Sequence, residues 1–161
     1  MRGIEIPYPW DRDEFVAAVA RSRGRPIRLQ PVDDPTLLSG FGCGSNTSGL
    51  WIKTTDSDLI VYSADTEWHA DHVIAHEIGH MLLRHDEIGA SGGVPAGRLP
   101  LYALMPALSP DAIQDVLGRN DYDTERETAA ETFADLLMVE ATLPRRRPSA
   151  ARRTLFRTRH R

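Results

Sequence analysis

The sequence predicts an α+β domain: a small antiparallel sheet of about three strands packed with a histidine-bearing helix and further helices. Three observations carry this. Apolar residues recur at three- and four-residue spacing over 66–84. Two β-rich runs, Leu50-Trp51-Ile52-Lys53 and Leu59-Ile60-Val61-Tyr62, flank a short polar loop and read as an antiparallel hairpin. The elements come as helix, small sheet, then helices, not in the alternation that builds a doubly wound parallel sheet.

Taken in order, residues 11–22 form the first helix. Asp11 suits its cap, and Phe15, Val16 and Val19 give it an apolar stripe. Gly24 is the stop, Arg25-Pro26 favours extended chain, and 27–30 read as a short strand. Residues 33–48 are turn-rich, with Pro35, Gly40, Gly42, Gly44 and Gly49 punctuating them. After the hairpin comes the helix over 66–84, whose stripe is Val73, Ile74, Ile78, Met81 and Leu82. The stretch 86–108 is rich in Gly, Pro and Ala and reads as a long loop. Ser109-Pro110-Asp111 is a helix start, with proline at the first helical position, for a short helix ending near Gly118. A last helix runs over 123–142 and stops at Pro144. Residues 1–144 make a single domain.

At 161 residues the chain can bury a core without a disulfide or a structural metal. No apolar run approaches the roughly 18–20 residues that span a bilayer, so no membrane is expected. Met1-Arg2-Gly3-Ile4-Glu5 lacks the pattern of a secretory signal, and the single cysteine, Cys43, has no partner for an internal disulfide. The expected location is cytoplasmic. The net charge of −4 hides an asymmetry, because residues 145–161 hold eight arginines and no acid. Taking those from the 19 basic residues leaves 11 against 23 acids, about −12 for residues 1–144. The tail reads as a disordered, solvated segment. Its alternative use is a nucleic-acid contact, weakened by the presence of one aromatic, Phe156, and no reader motif.

Residues 76–80 read His76-Glu77-Ile78-Gly79-His80. On a helix the two histidines lie one turn apart on one face, where both imidazoles can bind one Zn²⁺ at about 2.0–2.1 Å. Glu77, beside a ligand, can take a proton from a water that the metal polarises without using a coordination position. Gly79 inside a helix costs about 1 kcal/mol relative to Ala, which points to close packing near the pair. A catalytic zinc site needs a third protein ligand. The metzincin pattern would need Gly at position 83, which is Leu, so it is set aside despite Asp86. The last helix offers Glu127 and Glu131, four apart on a face shared with Ala134 and Met138. One can be the third ligand and the other the acceptor that orients a ligand histidine. His85, Tyr102 and Tyr122 are candidates to stabilise an oxyanion, with no choice among them. His69 and His72 read as solvent-facing, with His72 toward the rim, and Trp51 and Trp68 as core or rim packing.

On these residues the chain resembles the ImmA/IrrE family of metallopeptidases, in the broad gluzincin style. The resemblance covers most of residues 10–142. It rests on the segment 69–80, on Met81-Leu82-Leu83-Arg84-His85, on Glu127 through Ala134, and on Gly49-Leu50-Trp51-Ile52. It implies a zincin-like minimal metallopeptidase domain, with Glu127 as third ligand and Glu131 as the acid behind a histidine. It also implies a zinc-dependent endopeptidase acting on a protein or peptide, such as a helix-turn-helix repressor. The rival expectation is a non-catalytic metal-binding sensor that acts on a transcription factor; the intact Glu77 argues against it.

Overall fold

Asp11 opens the first helix from an extended conformation. Its carboxylate accepts a hydrogen bond from the Glu14 amide at 2.9 Å, satisfying one N–H that the first turn leaves without a helical partner. Helix α1 spans Arg12–Arg23 and ends at Gly24, whose φ of 69° is left-handed and suits glycine. The structure is a computed structural model, and it describes residues 4–38, 48–86, 113–117 and 124–143.

Strand β1 is Ile27–Pro31, followed by a 3-10 turn at Pro35–Leu37; β2 is Gly49–Thr54 and β3 Asp58–Tyr62. Helix α2 spans Glu67–Leu82, β4 is Ile113–Leu117, and α3 is Thr124–Thr142. The architecture is α+β, with a mixed four-stranded sheet in the order β1-β3-β2-β4. The hairpin is antiparallel as its spacing predicts, with Trp51 opposite Ile60.

Two expectations about the sheet need correction. Strand β1 pairs parallel with β3, Leu29 facing Ile60. No tight turn joins these two strands, and the chain passes through the 3-10 turn and β2 before reaching β3, so a parallel register is open to it. The second correction concerns the short helix expected over 109–118. Residues 113–117 pair antiparallel with β2, placing Val116 opposite Ile52. The outer edge of β2 offers a row of backbone donors and acceptors, and filling it outweighs a local helix-start signal.

Central strands covered on both faces read as continuous apolar runs. Trp51 and Ile60 meet Phe15 and Val19 of α1, Ile74, Ile78 and Met81 of α2, and Ala134 and Leu137 of α3 in one cluster. The intervening residues Leu50, Ile52, Leu59 and Val61 are buried as well. Trp68 is 53% exposed and takes no part in this core.

A buried carboxylate ties α1 to the sheet and to the end of α2. Asp58 is fully buried and accepts from the Trp51 indole N–H at 3.2 Å and from Arg23 Nη2 at 3.1 Å, with Arg25 Nε at 3.6 Å. Arg23 also donates to the Met81 carbonyl at 2.7 Å. Removing one partner of such a buried cluster costs about 3–5 kcal/mol, because the charge left behind is uncompensated.

Helices α2 and α3 touch closely at Gly79. A Cβ there would lie 3.1 Å from Phe133 Cδ1 and 3.2 Å from the Ala130 backbone, so the missing side chain lets the helices approach. That accounts for the glycine inside an otherwise regular helix. No helix among the described residues is long and apolar enough to cross a membrane. The expected loop at 86–108 beyond Asp86, the tail at 145–161, Cys43, Tyr102 and Tyr122 lie outside the described residues.

Candidate metal centre

Thr66 caps α2, its hydroxyl accepting from the His69 amide at 3.1 Å. The helix then carries His76 and His80 on the face turned to α3. Their Nε2 atoms stand 3.1 Å apart. Glu127, in the first turns of α3, places Oε1 3.3 Å from His80 Nε2 and Oε2 3.5 Å from His76 Nε2. Ligands about 2.0–2.1 Å from a tetrahedral ion lie about 3.3 Å from one another. The two nitrogens stand close to that edge length, and each faces one oxygen of the Glu127 carboxylate at a similar distance. One ligand atom from each of the three residues lies within 4.8 Å of the others, so two imidazoles and a carboxylate converge closely enough to hold a zinc-sized cation. Two ring nitrogens this close to each other also need a proton or a cation between them.

The charges agree with this. His76 is raised above its ordinary value of about 6.5: burial opposes its charge, but the hydrogen bond to Glu127 and the charges of Glu77, Glu127 and Glu131 outweigh that. Burial would raise Glu127, yet its hydrogen bonds to His76 and His80 and their charges hold it far below the usual carboxylate range. The pocket therefore favours a positive charge next to an ionised Glu127.

A pH dependence follows for the metal-free chain. Stability from the raised His76 is fully present below about pH 6.5 and is lost as pH rises through its folded value. Stability from the depressed Glu127 is present above the ordinary carboxylate value and is lost as pH falls through its folded value. A divalent cation competes with the proton on His76, so its stabilising effect should grow as pH rises through the folded value of His76, above about 6.5. At a free concentration of 100 Kd that effect is about 2.7 kcal/mol. Melting scans with Zn²⁺ and with chelator should show a Tm gap that widens over this rise in pH; a gap that narrows contradicts the assignment.

Both histidines are gripped from behind. Glu131 Oε2 lies 3.0 Å from His76 Nδ1. His85 Nδ1 lies 2.8 Å from His80 Nδ1, on the edge of that ring away from the Nε2 that faces Glu127. A change of backbone direction puts it there. Arg84 takes φ 57°, and the His85 amide returns to the His80 carbonyl at 3.1 Å. This is a Schellman-type helix end with arginine where glycine is usual, at a cost of about 1–2 kcal/mol for the left-handed residue. Asp86, next in the chain, is bound to Lys53 Nζ at 2.7 Å and so fastens the turn to β2.

Glu77 is buried, and Gly49 at the start of β2 makes room for it. A Cβ at Gly49 would lie 2.7 Å from Glu77 Oε1 and 2.7 Å from Val73 Cγ1. In the sequence Gly49 signalled only a turn and a family-like strand; its spacing from a carboxylate 28 positions away is visible only in the fold.

The structure thus brings His76, His80 and Glu127 together, with Glu131 and His85 on the outer nitrogens of the two imidazoles. His72, expected to face solvent, instead contacts α3: its Nε2 lies 3.2 Å from Asp135 Oδ1. Its four-residue spacing from His76 was the available signal. Comparison with protein families, with curated proteins and with solved structures finds no match to this chain.

Proposed function

We propose that the chain is a zinc-dependent peptidase of the ImmA/IrrE kind, acting on a protein or peptide substrate. The observation that carries this reading is the convergence of His76 Nε2, His80 Nε2 and the Glu127 carboxylate on one point between α2 and α3, with a buried Glu77 one residue from His76. His76, His80 and Glu127 would hold the ion. Zinc, when bound, supplies a Lewis acid that polarises a peptide carbonyl and brings water into reach of a carboxylate base near neutral pH.

The remaining chemistry belongs to the chain. The Glu77 carboxylate takes the proton of the attacking water and passes it to the leaving amine. Gly49 keeps that carboxylate in place by presenting no side chain to it. Glu131 and His85 fix the orientation of the two imidazoles through their Nδ1 atoms, and His85 acts here as a positioning group and not as an oxyanion donor. The likeness to ImmA/IrrE proteins suggests a helix-turn-helix repressor as substrate.

The test is a peptide-library digest together with a helix-turn-helix repressor, read by mass spectrometry for new termini. Fragments that appear with Zn²⁺ and vanish with chelator support the reading; bound zinc with no fragments from any substrate favours a metal-binding regulator instead. Gly49→Ala is expected to reduce turnover by about 10²-fold through displacement of Glu77, with metal content unchanged by elemental analysis. Full turnover in that variant would mean that Glu77 has room to spare.

A further inference from the structure

Helices α2 and α3 face each other with matched four-residue spacing. On α2 stand His72, His76 and His80; on α3 stand Glu127, Glu131 and Asp135. Because His80 meets Glu127 and His72 meets Asp135, the helices run antiparallel and the histidines and acids form a ladder. Two groups of three on this ladder converge tightly enough for one cation. The first is His76, His80 and Glu127, and the second is His72, Glu131 and Asp135, whose ligand atoms all lie within 4.8 Å of one another.

We propose that His72, Glu131 and Asp135 form a second divalent-cation site, outside the first and sharing Glu131 with the group that orients His76. His72 Nε2 lies 3.2 Å from Asp135 Oδ1 and 3.7 Å from Glu131 Oε1, close to the separation of about 3.3 Å between ligands of a tetrahedral ion. Glu131 arrives preoriented. Its other oxygen lies 3.0 Å from the Nδ1 of the buried His76, which leaves Oε1 on the His72 side. Glu131 and Asp135, four apart on one helix, are like charges that repel at that spacing; a dication beside His72 removes the repulsion.

The ligand chemistry selects the ion. An imidazole with two carboxylates suits first-row divalent metals such as Zn²⁺ and disfavours Mg²⁺ and Ca²⁺, which take oxygen ligands. Glu131 and Asp135 are 51% and 69% exposed in their side chains, against 28% for Glu127. Water therefore completes the outer site, and it binds more weakly than the inner one. The outer site stands on its own three residues and does not need the inner one to be correct.

The experiment is equilibrium dialysis of Zn²⁺ against untagged, metal-stripped full chain, with fold checked by circular dichroism. Wild type is expected to bind one tight and one weaker equivalent. Asp135→Asn and His72→Ala should each lose the weaker equivalent and keep the tight one, while His80→Ala should lose the tight one and keep the weaker. Asp135 is exposed, so its variant tests the site without disturbing the core. Retention of the weaker equivalent by either Asp135→Asn or His72→Ala overturns the proposal, as does a wild type that binds only the equivalent removed by His80→Ala. A single equivalent kept by His80→Ala and lost in Asp135→Asn would support the outer site while rejecting the inner one.

Discussion

Glu77→Gln is expected to keep its zinc and lose cleavage by about 10²–10⁴-fold, the range that a positioned proton carrier contributes. Glutamine has nearly the shape of glutamate, so it should fit beneath Gly49, where the carboxylate now lies. It cannot accept a proton from water. Metal retention is expected because Glu77 is not one of the three converging ligands. Fragment yield and elemental analysis on the same preparation read both halves of the result. Cleavage at the wild-type rate by this variant would remove Glu77 from the mechanism.

Glu127→Ala should weaken the tight zinc equivalent far more than Glu131→Ala. Glu127 stands 3.3 and 3.5 Å from the two Nε2 atoms, among the ligand positions. Glu131 instead meets His76 at its Nδ1, away from the ligand positions, from which it can orient the ring and raise its basicity. Loss of such an outer partner costs about 10–100-fold in metal affinity, and loss of a ligand more than that. Chelator competition on the tight equivalent ranks the two variants. The opposite order would transfer the ligand role to Glu131.

Much of this site was legible in the chain because local spacing sets it. His76 and His80, four apart in a stretch with helical periodicity, must share a face once the helix forms. Glu127 and Glu131 were identifiable as a pair of acids four apart on one helix face, although Glu131 is half exposed, and close packing near the histidines was foreshadowed by Gly79. The ends of α1 followed their signals, Asp11 and Gly24. Other features gave no local sign. The fate of residues 113–117 depended on an open edge of β2, which competes with a helix start by supplying backbone partners from a distant part of the chain. Arg84 carries none of the glycine signature of a left-handed helix end, so the return of His85 onto His80 was hidden. His72 looked like a surface histidine because its partner Asp135 lies 63 residues away.

The sequence by itself determined three of the four expected helices, the hairpin and the pairing of two imidazoles on one face, since each depends on hydrogen bonds, caps and side-chain periods spanning a few residues. Only the tertiary structure decided which acid stands at the Nε2 atoms and which at Nδ1, how β1 and β4 join the sheet, and that Gly49 shelters Glu77. Those outcomes depend on the register between elements far apart in the chain, and that register is set by packing such as the Gly79–Ala130 contact, where a single missing Cβ fixes how closely two helices approach.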